Sequence, residues 1–549
     1  APLLPVGAYS VTVSKAGFQT ASNIRLNLSL GDSAPLVVRL APETGAVVEV
    51  IATSAQVDTE RATSATLLQT EELKELPLIG RRWDNFAYLT PMVSTSSRGD
   101  LAIAGQRGVN TTTTVDGAGY NSSFFAGTLG NEAGGTPYTM SVEAIREFQV
   151  ITDGASAEFG RMGGGYLNAI TKSGTNDFSG SLFFYERPHG LVADSHLTGK
   201  PVDDFTNRQY GFSVGGPIIA DKLFYFVSGD FQRDSRPVVQ VWGDGPTNPV
   251  TLNASNPADA VLLARGGDYA SKRDADTLFA RLDWILNVDH SLQFRVNRSE
   301  FTGDNGTGYS VAYDSTSLEE GKTLSLVAQW NWLINSNWLS EFRANYLKEE
   351  LPRTRRSDHP QVNISRVGRY GESLYNRAFE STDLQFSEIL TYSTPVLQVR
   401  GGVDVTFHDV METFTPYGGG SYYFRNLNDF RGGNWGDYTQ FFSLIPGMST
   451  AEAGTMDEQE KELAAFVQAD WRPNSQWKIG LGLRWDRQEH PDFGIADFTG
   501  NAVAYTRPGA LTGRIPTNSA ISPRFSFTWT PAADHGRTVV RGSAGSYVS

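Results

Sequence analysis

The sequence predicts a mainly β protein whose larger part, residues 177–549, is a transmembrane antiparallel β-barrel. Three observations carry that expectation. Segments of about ten to fourteen residues alternate apolar and polar side chains, which gives a strand one oily face and one wet face. The links between these segments alternate too, first a very short polar turn, then a long loop. Aromatic residues gather beside the short turns. A soluble β domain has no reason to keep its long connections on every second link, whereas the two rims of a membrane barrel face different compartments.

Lys322 to Leu333 shows the first pattern. Leu324, Leu326, Ala328, Trp330 and Trp332 share one face, Thr323, Ser325, Gln329 and Asn331 the other, and Val327 alone is out of place. In Trp477–Trp485, Trp477, Ile479, Leu481, Leu483 and Trp485 oppose Lys478, Gly480, Gly482 and Arg484. Val399, Val403, Val405 and Phe407 oppose Arg400, Asp404, Thr406 and His408, and Leu278, Ala280, Leu282 and Trp284 oppose Arg281 and Asp283. Short turns are expected at Ile219–Lys222, Asn287–His290, Asn335–Asn337, Ser393–Pro395, Pro473–Ser475 and Ala532–Gly536. Beside them stand Trp284, Trp332, Trp338, Tyr392, Trp471, Trp477 and Trp529, as suits rings that are apolar with one polar atom at a membrane interface. Long loops are expected at about 188–206, 232–275, 302–321, 351–378, 410–458 and 490–519. The whole reads as about thirteen strands. A β-sandwich or propeller explains single strands equally well. It does not explain wet inner faces, terminal tryptophans and alternating links together.

Composition bounds the rest. With 549 residues there is room for several domains or one large barrel. Mean hydropathy is −0.30, and no run approaches the ~18 apolar residues of a spanning helix. A net charge of −14 argues against nucleic acid as a partner. The absence of cysteine removes disulfide frameworks, thiolate metal sites and cysteine nucleophiles. No signal peptide is visible and an odd strand count does not suit a single-chain barrel, so both ends are expected to lie beyond this sequence.

Residues 1–45 read as the last strands of a small β-sandwich, with Tyr9–Val13 alternating, a turn at Lys15–Phe18 and a closing strand at Leu36–Leu40. Residues 46–59 form a linker. Residues 60–176 form a mixed region that begins with a helix, Glu71–Leu76, capped by Thr70 and halted by Pro77. Short strands follow around Ala102–Ala104, Thr111–Val115, Phe148–Thr152 and Tyr166–Thr171.

Several stretches here resemble TonB-dependent outer-membrane transporters of the Oar-like branch. They are Leu76–Phe86, Gly105–Asn110, Thr114–Gly117, Ser141–Val150, Ala157–Arg161 and Leu167–Asn176. Asn207–Ile218 resembles the family's early barrel strands, Ile521–Phe527 is family-like, and residues 1–45 resemble its carboxypeptidase-regulatory-like domain. The resemblance implies that 60–176 is an α+β plug in the lumen of a barrel of about 22 strands, of which about thirteen lie in this chain. It also implies energy coupling to a TonB-type protein of the inner membrane, outer-membrane lipid around the barrel, an extracellular ligand of unknown identity, and no cofactor.

Coupling of that kind uses an extended segment ahead of the plug that pairs edge to edge with its partner through main-chain hydrogen bonds. Val47, Val48, Glu49, Val50, Ile51 and Ala52 stand at the corresponding place; the plain alternative is a linker strand or the last strand of the N-terminal domain. On the lumen wall Arg281, Asp283, Arg295, Glu341, Arg343, Arg400, Asp404 and Arg484 are candidates to meet Arg81, Arg82, Arg107, Glu147, Glu158 and Arg161 of the plug. The plain alternative for any one of them is a hydrated wall. Loop 410–458 holds Tyr417, Tyr422, Tyr423, Phe424, Phe430, Trp435 and Tyr438, which could stack on a ligand; for most of them packing of the loop is the expectation.

Signals for an enzyme are thin. His189 and His196 lack ligand spacing, Gly163–Gly165 lacks the lysine and helix of a phosphate loop, and Asp203, Asp204, Asp457 and Glu458 read as solvated loop acids. No metal site and no catalytic residue are expected. The sequence reading is therefore a TonB-dependent receptor and transporter that imports a scarce ligand across the outer membrane with energy from the inner membrane, export being the lesser alternative. The rival is a surface adhesin or passive porin on a similar barrel.

Overall fold

The computed structural model describes residues 7–28, 40, 63–69, 83–95, 101–130, 139–191, 193, 205–373, 375–443, 446–490, 517–531 and 538–548. Strands β1 (Gly7–Val13) and β2 (Ala21–Leu28) form an antiparallel pair around the turn at Lys15–Phe18. The next region contributes β3 (Ser64–Gln69), β4 (Val93–Thr95), β5 (Leu101–Ile103), β6 (Thr111–Val115), β7 (Ala118–Gly119), β8 (Ile145–Asp153) and β9 (Gly165–Thr171). Five of these make one sheet in the order β3-β8-β9-β6-β7, parallel only between β6 and β9, while β4 pairs with β5. Its core is Trp83, Phe86, Tyr120, Leu129, Phe148 and Leu167. The expected helix Glu71–Leu76 and most of the strand Leu36–Leu40 lie outside the described residues.

From β10 (Ser179–Pro188) the chain becomes a long antiparallel meander. It runs through β11 (Thr206–Ile219), β12 (Leu223–Val238), β13 (Tyr269–Ile285), β14 (His290–Asn305), β15 (Ser317–Asn335) and β16 (Trp338–Glu350). After the short strands β17 (Arg353–Arg355), β18 (Gln361–Ile364) and β19 (Gly368–Tyr370) come β20 (Tyr375–Ser393) and β21 (Leu397–Pro416). Then follow β22 (Ser421–Phe424), β23 (Asp437–Thr439), β24 (Thr455–Asn474), β25 (Trp477–Glu489), β26 (Asn518–Trp529) and β27 (Val540–Gly545). The large sheet has 14 strands, each long one bonded to the next in sequence, with β17 attached beside β15 and β20.

Local chemistry explains the short turns. Asn287, Asn335 and Asn474 each accept with Oδ1 from the backbone N–H groups two and three residues on, at 2.8–3.2 Å. This side-chain turn reverses the chain within a few residues and fixes the register of the hairpin.

The two faces of the sheet settle its environment. On β15 Ser325 is 1% exposed and Leu326 beside it 41%. On β21 Thr406 and His408 are buried while Val403 and Phe407 are exposed, and on β25 Arg484 is buried while Leu481 is 57% exposed. A protein in water buries its apolar rows; here the polar rows are inside and the apolar rows outside, which is stable only against lipid. Along the short-turn rim the outward aromatics form a belt. Trp330 and Trp332 lie parallel 6.0 Å apart, Trp338 meets Tyr392 at 5.0 Å and Trp477 meets Trp529 at 5.8 Å. Among the described residues no helix is long and apolar enough to cross a membrane.

The long loops differ from expectation. Strands continue well into them: β12 runs to Val238, β13 begins at Tyr269, β21 runs to Pro416 and β24 begins at Thr455. Beyond lipid both faces of a ladder are wet, so the alternation of apolarity fades while main-chain pairing goes on. Asp457 and Glu458, read as loop acids, accordingly sit in β24. The loops are also folded. Strands of two of them build a sheet in the order β19-β18-β22-β23, and a helix, Pro257–Arg265, is capped by Asn256.

Candidate functional site: the wall and the unit inside it

The concave polar face of the large sheet surrounds the five-stranded unit. Contacts reach it from Ser181 on β10, Asp230 on β12, Arg281 on β13, Asn297 on β14, Arg343 on β16, Gln385 on β20, Arg400 on β21, Gln468 on β24, Arg484 on β25 and Arg524 on β26. Only a sheet curved around its contents can do this.

The first node is Asp116, in the turn between β6 and β7. Its carboxylate accepts from Arg295 at 3.0 Å and from the Thr171 backbone N–H and hydroxyl at 2.8 Å each, with Arg281 at 3.7 Å. Burial by itself would raise the Asp116 carboxyl; the two guanidiniums and the Thr171 bonds overcome it and hold the group below the usual carboxylate range. Nearby, Asn297 donates to the Tyr120 hydroxyl at 3.0 Å and to the Thr139 carbonyl at 2.9 Å, and burial pushes the Tyr120 phenol up to about 12. Ser122 and the Gly130 N–H both donate to Glu349 at 2.7 Å, and Ser141 donates to Asp230 at 3.1 Å. Wall residues Phe226, Phe279 and Leu347 belong to the same apolar cluster as the unit's own core, so the contact on β12–β16 is dry as well as bonded.

The second node is the segment 155–161, between β8 and β9. Arg524 donates to the carbonyls of Ala155 and Ser156, Gln468 accepts from the Ala157 N–H at 3.2 Å, and Arg484 donates to the carbonyls of Ala157 and Glu158 at 3.5 and 3.3 Å. Arg400 pairs with Glu158, and Arg161 pairs with Glu462 and donates to Thr406 at 2.9 Å. A Cβ at residue 160 would strike the Arg484 guanidinium, so glycine permits this close approach.

The candidates from the sequence fall into distinct groups. Arg281, Arg295, Arg343, Arg400, Arg484, Glu158 and Arg161 meet across the interface, Arg343 donating to the Gly117 carbonyl at 3.1 Å. Asp283 instead holds Arg281 on its own strand at 2.6 Å, and Asp404 accepts from Gln385 at 2.7 Å within the wall. Glu147 pairs with its neighbour Arg146 at 3.1 Å, Glu341 stays on the half-buried wall of β16, and Arg107 is exposed at a turn. Arg81, Arg82 and the segment Val47, Val48, Glu49, Val50, Ile51 and Ala52 lie outside the described residues, as do His196, Asp203 and Asp204. Asp116, Glu349, Asp230, Gln385, Gln468, Glu462 and Arg524 were not singled out. Asp116 lies inside the family-like Thr114–Gly117 stretch and Arg524 inside Ile521–Phe527, which are the available signals; the others are ordinary inward positions on strands.

At the long-loop rim Tyr422 and Phe430 pack with Trp242, Leu262, Ile364, Val367 and Phe424. Tyr423 is half-buried in β22. Trp435 and Tyr438 remain 56% and 41% exposed, flanking Tyr422 with ring centroids 6.3 and 4.6 Å away. Arg431 clamps the buried Asp259 at 2.7 Å, tying the Leu427–Arg431 helix to Pro257–Arg265 and holding the Asp259 carboxyl below its ordinary range. Among the described residues no group of three or more His, Cys, Asp or Glu could hold a metal ion.

A family model described as "Outer membrane beta barrel domain" matches residues 170–251 and 246–549. The chain belongs to that family. This outer-membrane barrel protein is similar to the TonB-dependent transporter Oar of Myxococcus xanthus, with 26% identity over 317 residues, 54% of this chain and 29% of that protein. It is also similar to the probable TonB-dependent siderophore receptor PirA of Acinetobacter baumannii, with 30% identity over 203 residues, 34% of this chain and 25% of that protein. Among solved structures, the outer membrane transporter YddB of Escherichia coli shares the fold with a TM-score of 0.60 at 13% identity, over 88% of this chain and 60% of that one. The barrel protein thus spans under a third of those two curated relatives and about three fifths of YddB. Its place is the outer membrane of a Gram-negative-type bacterium, and the relatives named are transporters and receptors rather than enzymes.

Proposed function

We propose that this protein is a TonB-dependent importer: long loops outside the cell capture a scarce ligand, the unit inside the barrel is a plug, and a pull from the inner membrane opens a path past it. One observation carries this reading. The lumen holds a folded unit bound largely through hydrogen bonds and ion pairs, which can be exchanged for water one at a time as the unit shifts. A passive porin needs an open lumen, and a filled one argues against it. The short-turn rim then faces the periplasm, and residues 47–52 pair as an added strand with a TonB-type protein.

The test is growth of a deletion strain on a panel of single nutrient sources, complemented with the wild type, Val48→Pro or Val50→Pro. Proline removes a main-chain donor and fixes φ. Wild type restores growth on the transported nutrient; the proline variants insert normally and do not. Growth at the wild-type rate with either variant would refute energy coupling through this segment.

A further inference from the structure

We propose that the plug yields at one place, the segment 155–161, and that the path opens between this segment and strands β24–β26. The proposal rests on the transport reading but is argued from how unequally the plug is held. Towards β12–β16 the plug shares an apolar cluster with Phe226, Phe279 and Leu347, and its Asp116 is buried between two arginines. Withdrawing the plug there would put aromatic rings into water and strand a buried guanidinium.

Towards β24–β26 the balance reverses. Residues 154–164 form no strand. The wall holds 155–161 through Arg524, Arg484 and Gln468 on main-chain atoms, through the Arg161–Glu462 pair, and from the adjoining β21 through Arg400 on Glu158. Within the plug the segment is held by the Thr112 hydroxyl on the carbonyls of Gly160 and Arg161 and by a small cluster of Ile151, Ala155, Met162 and Tyr166 with Phe159 and Tyr547 packed on it, much smaller than the one towards β12–β16. If the segment leaves, the wall it uncovers is charged: the buried Arg484 keeps Asp486 of its own strand, and water replaces the carbonyls that Arg484 and Arg524 lose.

The ladder also leads a pull to this place. The N-terminal end of β3, Ser64, is paired with Asp153 at the end of β8, immediately ahead of the segment. Tension arriving from residues before Ser64 therefore opens the rungs next to Gly154 first.

None of these 549 residues is a cysteine, so each probe is the single thiol among them and its labelling is read on its own peptide by mass spectrometry. Ala157 in the segment and Ala144 beside the β12 wall are both 0% exposed, which makes Ala157→Cys and Ala144→Cys matched probes. Each is labelled with N-ethylmaleimide in the full protein in detergent, with heat-modifiable gel mobility confirming a folded barrel. Cys at 157 should react at least tenfold faster than Cys at 144. Adding Arg484→Ala, or Gly160→Ala if that variant fails to fold, should raise the rate at 157 further and leave 144 unchanged. Equal rates, a faster reaction at 144, no labelling at either site, or an equal rise at both would overturn the proposal. The assay needs no cargo, so its outcome is independent of the growth test for transport.

Discussion

At Asp116 two arginines from neighbouring strands converge on one carboxylate held in a left-handed turn, φ 51°. Because its folded-state acidity is enhanced, the group favours the folded plug above the usual carboxylate range, and that contribution is lost as pH falls through its depressed folded value. Asp116→Asn leaves Arg295 buried without its carboxylate, so plug stability should fall by about 3–5 kcal/mol at neutral pH. The acid-dependent part of its stability should flatten as well. Urea titrations across pH, scored by proteolysis of the plug, measure both effects. Glu158, Arg161, Arg400 and Arg484 were recognisable as charges on the right faces. Which partner each takes depends on a register across more than two hundred residues, and Glu147 shows the limit: it also pairs with its own neighbour, Arg146.

Strand β14 puts the two environments side by side. Phe294 points outward into lipid, and Gln293 points inward opposite Asp283. Phe294→Lys, two residues inside the Trp330 belt, should destabilise the inserted barrel by about 1–3 kcal/mol, whereas Gln293→Lys, beside that carboxylate, should be nearly neutral. Urea unfolding in liposomes distinguishes them. The amphipathic core of each strand was legible because lipid and lumen impose opposite demands on alternate residues. The outer ends were not, since a ladder wetted on both faces carries no such signature; Lys272–Asp274 looks like loop and is β13. The folded cap was hidden for a related reason, its strands of three or four residues being too short for a period to show.

For the molecule as a whole the decisive relation is containment: a small mixed sheet inside a large antiparallel one. Deleting residues 60–176 should convert a closed lumen into a conducting pore, seen as stepwise potassium chloride current across a planar bilayer where the intact protein gives a flat baseline. A flat baseline from the deletion variant, with gel mobility showing a folded barrel, would mean that the wall closes without its contents.

The strands are longer than the lipid requires. From the belt at Trp471, a crossing of about ten residues reaches only the neighbourhood of Lys461, yet β24 starts at Thr455. At ~3.3 Å per residue the surplus lifts the cap of Trp435 and Tyr438 by about 15–20 Å along the strand. With the short-turn rim towards the periplasm, as proposed, those rings stand as a turret level with the sugar coat of the cell, and an arriving molecule meets them well before it meets any fatty surface.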